Sequence, residues 1–309
     1  MATTTTSRET TSRAKRSRLD ALGAFVGSIV YRRRRLFRRS LDSPPLRTAV
    51  PGTTVHVGSL EPGAWHAVRS DGPAGQFDAA YLVHRWIGPD RPGLIYVHGS
   101  GEQPRDFGRT ADNSFRRITE AEFDVDANLL LVMAPFHEAG QGAYIDALGD
   151  LRNYVGMLAT ATALVDALAT RLRSEGAAAV HGAGFSLGGW VLNLHRAFHG
   201  TGIDRYVPIC AGTKPHAIFV DSVYRRLVDP SARAERTHLE DVLGFEAEFK
   251  ANTADDCRPL LFRYDALVDI DVHLPSYAGM QVETIDKGHF GGQQAIPELR
   301  AHIRRATGL

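Results

Sequence analysis

The feature that most constrains this chain is the stretch from 177 to 194, AAAVHGAGFSLGGWVLNL. A run of small apolar residues there ends in Gly184-Phe185-Ser186-Leu187-Gly188 and passes directly into a helix-like pattern. This order predicts a nucleophile elbow, a turn between strand and helix so tight that the backbone of Ser186 is strained. Glycines two residues either side are then required, because any side chain there would collide with the neighbouring strand or helix. Such a turn lifts the Ser186 hydroxyl above the end of a sheet. The pentapeptide alone is only moderately specific, so the rest of the chain decides what it means.

From about residue 52 the hydrophobic period is two. Residues 53–57, 65–68 and 79–87 are strand-like and separated by turns such as Ser70-Asp71-Gly72-Pro73, which predicts an antiparallel entry to a sheet. Pro92-Gly93-Leu94-Ile95-Tyr96-Val97 is instead an uninterrupted apolar run, as in a strand buried on both faces, and it ends in His98-Gly99-Ser100-Gly101. A helix at 113–121, a buried strand at 127–134, a long helix at 146–173, and strands at 177–183 and 206–210 follow. The long helix carries Leu148, Leu151, Val155, Leu158, Val165, Leu168 and Leu172 on one side, with Thr162 the polar member of the stripe. This alternation implies a mostly parallel central sheet with right-handed crossovers and helices on both faces. Residues 212–256 interrupt the rhythm with helical segments near 216–228 and 238–250, an insertion the size of a small cap. Strands at 259–264 and 280–285 and a helix at 293–306 complete the body.

The first fifty residues differ in charge. Residues 1–49 hold twelve Lys/Arg against three Asp/Glu, and the rest holds 24 against 32. A basic arm, residues 1–51, is thus attached to a mildly acidic body, residues 52–309. Residues 1–18 are too polar to repay the entropy of ordering and are expected to be disordered. Residues 19–39 place Leu19, Leu22, Phe25, Val26, Ile29, Val30, Leu36 and Phe37 largely at three- and four-residue spacing, which predicts a basic amphipathic helix. Its apolar part is about a dozen residues, shorter than the roughly 20 that cross a bilayer. An Arg cluster also stands where a signal peptide would have its cleavage site. Two readings follow, docking on an anionic membrane surface and a helix packed on the body with its arginines in water. Nothing resembles a zinc finger or an aromatic basic groove, so nucleic acid is not indicated. Ser43-Pro44-Pro45 reads as a linker. The two cysteines, Cys210 and Cys257, lack metal spacing, which argues for a reducing, cytoplasmic location with peripheral membrane attachment as an option of the arm.

Four features stand in a telling order: His98-Gly99-Ser100-Gly101, Gly184 to Gly188, Tyr264-Asp265-Ala266-Leu267-Val268, and Lys287-Gly288-His289-Phe290. In this order residues 52–309 resemble the α/β-hydrolase family of the serine-hydrolase type. The resemblance implies an α/β fold with a mostly parallel sheet and a helical cap at about 212–256. It implies Ser186 as nucleophile, His289 as base and Asp265 as the acid that orients it. The chemistry requires the same types: a hydroxyl attacks only when a base takes its proton, and a neutral imidazole held by a carboxylate suits that near pH 7. Backbone N–H groups of Leu187 and of Ser100 or Gly99 are the candidates for the oxyanion hole. His98, Phe136 and Phe185 are the candidates for substrate contact, with His98 ordering the oxyanion loop. Asp269 remains the alternative acid.

The implied activity is cofactor-independent cleavage of a small-molecule carboxylic ester through an acyl-enzyme. An amide or peptide is the runner-up, and a non-catalytic binding protein anchored by the arm is the reading from another class. Other patterns point elsewhere only weakly. His195 and His199 have the spacing of a metal pair without the Glu of HExxH, and the expectation is no metal. Asp269-Ile270-Asp271-Val272-His273 is expected to be a solvated extended segment. Gly182, Gly184 and Gly188 are spaced GxGxxxG, which is not the dinucleotide pattern.

Overall fold

In a computed structural model that describes residues 18–30, 34–120 and 123–309, nine strands form one sheet. They are β1 (Thr54–Val55), β2 (Trp65–Asp71), β3 (Phe77–Arg85), β4 (Gly93–Val97), β5 (Asn128–Met133), β6 (Val180–Phe185), β7 (Arg205–Ile209), β8 (Leu260–Phe262) and β9 (Glu283–Ile285). The spatial order is β1-β2-β3-β5-β4-β6-β7-β8-β9. The first three strands join β5 antiparallel, and everything from β5 to β9 is parallel. The difference is written in the side chains. Exposed and covered positions mix along β2, whereas every residue of β4, β5 and β6 is buried, as parallel strands covered on both faces must be.

The largest cover is the core helix Leu151–Glu175, whose apolar stripe is buried and which ends on Gly176 in the left-handed region (φ 106°). Thr162 sits in that stripe without cost because its hydroxyl donates to the Leu158 carbonyl at 2.8 Å. The single helix predicted from 146 is two: Gln141–Ala147 stops short, and the core helix begins at Leu151. The interruption has a partner. Phe37 N–H donates to Leu148 O, Arg39 N–H to Gly149 O and Leu151 N–H to Ser40 O, so residues 36–40 of the arm pair with the break. The predicted helices of the insertion are broken likewise, into Pro215–Val220, a 3-10 turn Val223–Arg226, Pro230–Ala234, Arg236–Leu243 and Glu246–Ala251.

The arm departs most from expectation. Its helix covers Arg18–Val30, whereas Leu36 pairs with Val228 in an isolated bridge and Phe37 turns at φ 59°, both buried in the core. Phe37 meets Phe219 edge-on at 4.8 Å and Tyr154 at 6.0 Å. Burying two such side chains is worth about 2 kcal/mol each, more than a few further residues of helix would return. Ser43-Pro44-Pro45, the expected linker, carries no helix or strand, but it is short. A helix, Leu46–Gly52, starts directly after Pro45, where a missing N–H costs nothing, and it buries Leu46, Ala49 and Val50 completely. Residues 34–52 are therefore part of the body's core rather than a tether to it. The disorder expected for residues 1–18 concerns positions outside the described residues, apart from Arg18, which opens the arm helix.

Candidate active site

The site is built at the carboxyl edge of the parallel strands, where β6 turns into the helix Leu187–Phe198. Ser186 occupies the turn at φ 51°, ψ −106°, a strained conformation for a residue with a side chain, of the kind that costs about 1–3 kcal/mol. The flanking glycines are steric necessities. A Cβ on Gly184 would lie 2.6 Å from the carbonyl carbon of Gly188, and one on Gly188 would lie 2.0 Å from the Val97 carbonyl oxygen. The turn is thereby wedged between its own helix and β4.

Three strand ends converge on that hydroxyl. Asp265 follows β8, and its Oδ1 accepts from the backbone N–H groups of Leu267 at 2.7 Å and Val268 at 2.8 Å, which fixes the carboxylate. Its Oδ2 accepts from His289 Nδ1 at 2.7 Å. A carboxylate only accepts, so Nδ1 carries the proton and Nε2 is left to accept from the Ser186 hydroxyl, 3.1 Å away. Burial depresses the His289 imidazolium, but the Asp265 charge, its hydrogen bond and the more distant Asp20 charge outweigh burial and raise the pKa above the ordinary 6.5. Asp269 is elsewhere in function: its side chain caps the short helix Ile270–His273 by accepting from Asp271 N–H at 3.2 Å. The segment 269–273, expected to be extended, is that helical turn, and burial holds its His273 down at about 4.

Sequence reasoning missed Asp20. This carboxylate of the arm helix is fully buried, and its Oδ2 accepts from the backbone N–H of His289 at 2.8 Å and of Ala266 at 3.1 Å. Its Oδ1 accepts from Phe290 N–H at 3.1 Å. One side chain thus ties the loop of the histidine to the loop of the acid. Charge-assisted bonds of this type contribute about 1.5–3 kcal/mol each. Asp20, Gly23, Ala24 and Gly27 share one face of the helix. A Cβ at Gly23 would come within 2.8 Å of the Phe290 ring, so the small residues let the helix approach. That stripe of small residues was the signal in the sequence, opposite the large apolar residues that drew attention.

The loop after β4 divides the remaining assignments. Gly99 N–H donates to Glu102 Oε1 at 3.0 Å and so points away from an oxyanion. Ser100 is placed differently. Among the described residues neither its N–H nor that of Leu187 meets an acceptor, and both residues line the pocket beside Ser186. The Ser100 hydroxyl bonds the Tyr144 hydroxyl. His98 does not reach the pocket. It is fully buried, with Nδ1 donating to Gly99 O at 2.7 Å and Nε2 accepting from Ala134 N–H at 3.1 Å, and so staples the ends of β4 and β5. Burial, with His137 beside it, pushes its pKa well below 6.5. His137 in turn accepts from Gly101 N–H at 3.1 Å. Glu102 is buried under the same loop, accepting also from the Ser114 N–H and hydroxyl, both at 2.8 Å, and burial pushes its carboxyl up to about 7.

The pocket over Ser186 is mainly apolar. Phe185, Leu187, Trp190, Ile218, Phe219, Leu227, Leu267 and Val268 line it together with Tyr144 and Tyr154, and the arm helix supplies Gly23 and Gly27. The insertion therefore forms one wall and the arm another. Phe136 is not in it; with φ 70° it turns to the opposite side and packs on Phe77, ring centroids 5.8 Å apart. Of the three residues expected to touch substrate, only Phe185 lines this pocket.

Two clusters bear on metals. Cys210, Asp265 and His289 place ligand atoms within 4.8 Å of one another, but the carboxylate and imidazole already bond each other and burial keeps the thiol far above its usual pKa. That set suits a hydrogen-bonded relay better than a cation. His195 and His199 both approach Asp166 of the core helix, at 3.3 and 3.6 Å, a partner the sequence did not reveal, and His195 Nδ1 also bonds Tyr206 OH at 2.9 Å. Both cysteines are free thiols.

No protein-family model matches the chain, and no curated protein matches it. Solved structures do. The fold is similar to acetyl xylan esterase 1 from a Thermoanaerobacterium species, with TM-score 0.51 and 13% identity over 86% of this chain and 96% of that one. Est1E from Butyrivibrio proteoclasticus gives TM-score 0.51 and 13% identity over 79% of this chain and 99% of that chain. The Pyrococcus horikoshii acylaminoacyl peptidase gives TM-score 0.52 and 12% identity over 80% of this chain, which spans only 41% of the peptidase. With the strand order, the parallel pairing from β5 to β9 and the turn at Ser186, these likenesses make the architecture plain: the chain has the α/β-hydrolase fold.

Proposed function

We propose that the protein is a serine hydrolase that cleaves a carboxylic ester through an acyl-enzyme. The observation that carries this is the relay from Asp265 Oδ2 through His289 to the Ser186 hydroxyl, with bonds of 2.7 and 3.1 Å, at a strained elbow opening into an apolar pocket. In the first half-reaction Ser186 Oγ bonds to the acyl carbon while His289 Nε2 takes the hydroxyl proton. The oxyanion forms beside the N–H groups of Leu187, at the positive end of its helix, and of Ser100; one such donor typically contributes about 3 kcal/mol to the transition state. His289 then passes the proton to the leaving alcohol oxygen. Water, deprotonated by the same imidazole, releases the acid and restores Ser186. No step calls for a cofactor.

The apolar walls favour an acyl group that brings its own hydrophobic surface, and the two carboxylates on the lining, Glu102 and Asp112, are already engaged by Ser114 and Arg117. An ester is accordingly favoured over an amide. Incubation with a fluorophosphonate probe tests the reading: the wild type is labelled and Ser186→Ala is not. A folded wild type that stays unlabelled overturns it. Paired p-nitrophenyl ester and p-nitroanilide substrates of equal acyl length then separate the two bonds, with the ester turned over faster.

A further inference from the structure

The arm helix presents two unlike faces. Its inner face seats Asp20, Gly23, Ala24 and Gly27 against the pocket and the histidine loop. Its outer face carries Leu19, Leu22, Phe25, Val26, Ile29 and Val30, each between 48% and 64% exposed. The described residues include nine exposed large hydrophobic side chains, and six of them are on this one helix. Scattered apolar residues on a surface need no explanation, but a contiguous set on thirteen residues of helix does. Arg18, at the N-terminal end, is the one charged residue on the outer face, since the helix's one carboxylate is turned inward.

Charge says what covers it. Between residues 10 and 41 the sequence holds ten Lys/Arg and a single acid, Asp20. Arg226 lies over the Phe25 ring at 5.9 Å. Arg34 donates to Gly142 O at 3.2 Å, and Arg35 contacts the carbonyls of Arg226 and Val228, so these guanidiniums are held near the helix by neutral groups. Among the described residues, Arg18, Arg34, Arg225 and Arg226 have no carboxylate at ion-pair distance, whereas the Arg35 charge acts on Asp229. A second copy is a poor occupant, because basic residues stand at both ends of the helix and either antiparallel or parallel pairing brings like charges together. An anionic surface that accepts apolar side chains is a good one.

We propose that the outer face of the helix Arg18–Val30, with the arginines around it, docks the protein on an anionic lipid bilayer. The apolar side chains enter the boundary between headgroups and acyl chains, and the guanidiniums meet the lipid phosphates and carboxylates. The inner face of the same helix walls the pocket, so docking holds the pocket's rim at the lipid surface. The docking stands independently of the chemistry at Ser186.

Co-sedimentation of the full chain with phosphatidylserine-containing vesicles tests this. The wild type should pellet with them, and its partitioning should fall about tenfold or more on pure phosphatidylcholine vesicles or when salt screens the arginines. Leu22→Asp/Ile29→Asp should lose binding by at least about tenfold while melting at the wild-type temperature and keeping fluorophosphonate labelling. Ser186→Ala should bind as the wild type does, which separates this proposal from the hydrolase reading. Absence of pelleting on anionic vesicles, or equal pelleting of wild type and the double variant, overturns the proposal. So does a concentration-dependent dimer in sedimentation velocity that the double variant dissolves, which would give the face to a second copy.

Discussion

Two regions meet beside the Ser186 hydroxyl, and they are built by opposite means. The junction of β6 with its helix is a matter of space: a Cβ at 184 or 188 has nowhere to go, 2.6 and 2.0 Å from backbone atoms that cannot yield. The arm helix is a matter of polarity, held on its inner face by one carboxylate and spaced by glycines whose neighbours are the ends of side chains. One is a rigid floor, the other a wall attached from far away in sequence. A site made this way fixes its reacting atoms by sterics and leaves the extent of its pocket to a separately fastened element.

The comparison can be broken at several points. The largest effect belongs to the relay itself: Asp265→Asn should lower kcat on an ester substrate by about 10³–10⁴-fold, because the imidazole loses the partner that fixes its tautomer. Asp269→Asn removes only a helix cap's charge and should change kcat by less than about twofold, with stability lowered by no more than about 1 kcal/mol. Equal losses in the two would refute the assignment of Asp265. Next comes the floor against the wall. Gly188→Ala forces a methyl into the Val97 carbonyl and should cost more than about 3 kcal/mol in urea denaturation. Gly27→Ala meets only the tip of Leu227 at 3.4 Å and should stay within about 0.5 kcal/mol of wild type. If the alanine at 27 is as damaging as the one at 188, the two regions are not built differently.

The smallest effect is the most specific to the arm. In the proposed hydrolase His289 must be neutral to accept the serine proton, and its surroundings raise its pKa from the ordinary 6.5, so kcat/KM should rise with pH through a limb above that value. Asp20 contributes to that elevation by its charge. Asp20→Asn should therefore move the limb to lower pH, and kcat/KM on the plateau should drop by several-fold as the histidine loop loosens. A variant with reduced stability but an unmoved limb would leave Asp20 a merely structural part.

How much of this could be read from residues alone follows from how local each signal is. β4 and β5 announce themselves as apolar runs, β6 as a run of small residues, and glycines at 184 and 188 announce the turn. Parallel strands then deliver whatever follows them to one edge of the sheet, which is why Ser186, Asp265 and His289, each just after a strand, end up together. Which face of the arm helix turns inward is not legible in the sequence, for a physical reason. Periodicity shows that a helix is two-faced but not which face is inward, and here the small polar stripe faces the core while the large apolar one faces out. Leu36 and Phe37 fit the helical period yet bury more surface off the helix. Pro44-Pro45 looks like a breaker, yet a proline is as good at starting a helix as at ending one. The Gly99 N–H was lost to Glu102, and His98 to Ala134, because their partners are three and 36 residues away and leave no mark in the local pattern.

The latch made by Asp20 spans 246, 269 and 270 residues to its three donors. Residues near the start of the chain thus wait for residues near its end. During synthesis the arm emerges well before Ala266, His289 and Phe290 and has no seat until the strands that precede them are made and paired, so its docking belongs to the later steps of folding, when long loops are already shortened by the formed sheet. The pocket is completed only when the arm helix meets loops made 246 to 270 residues later.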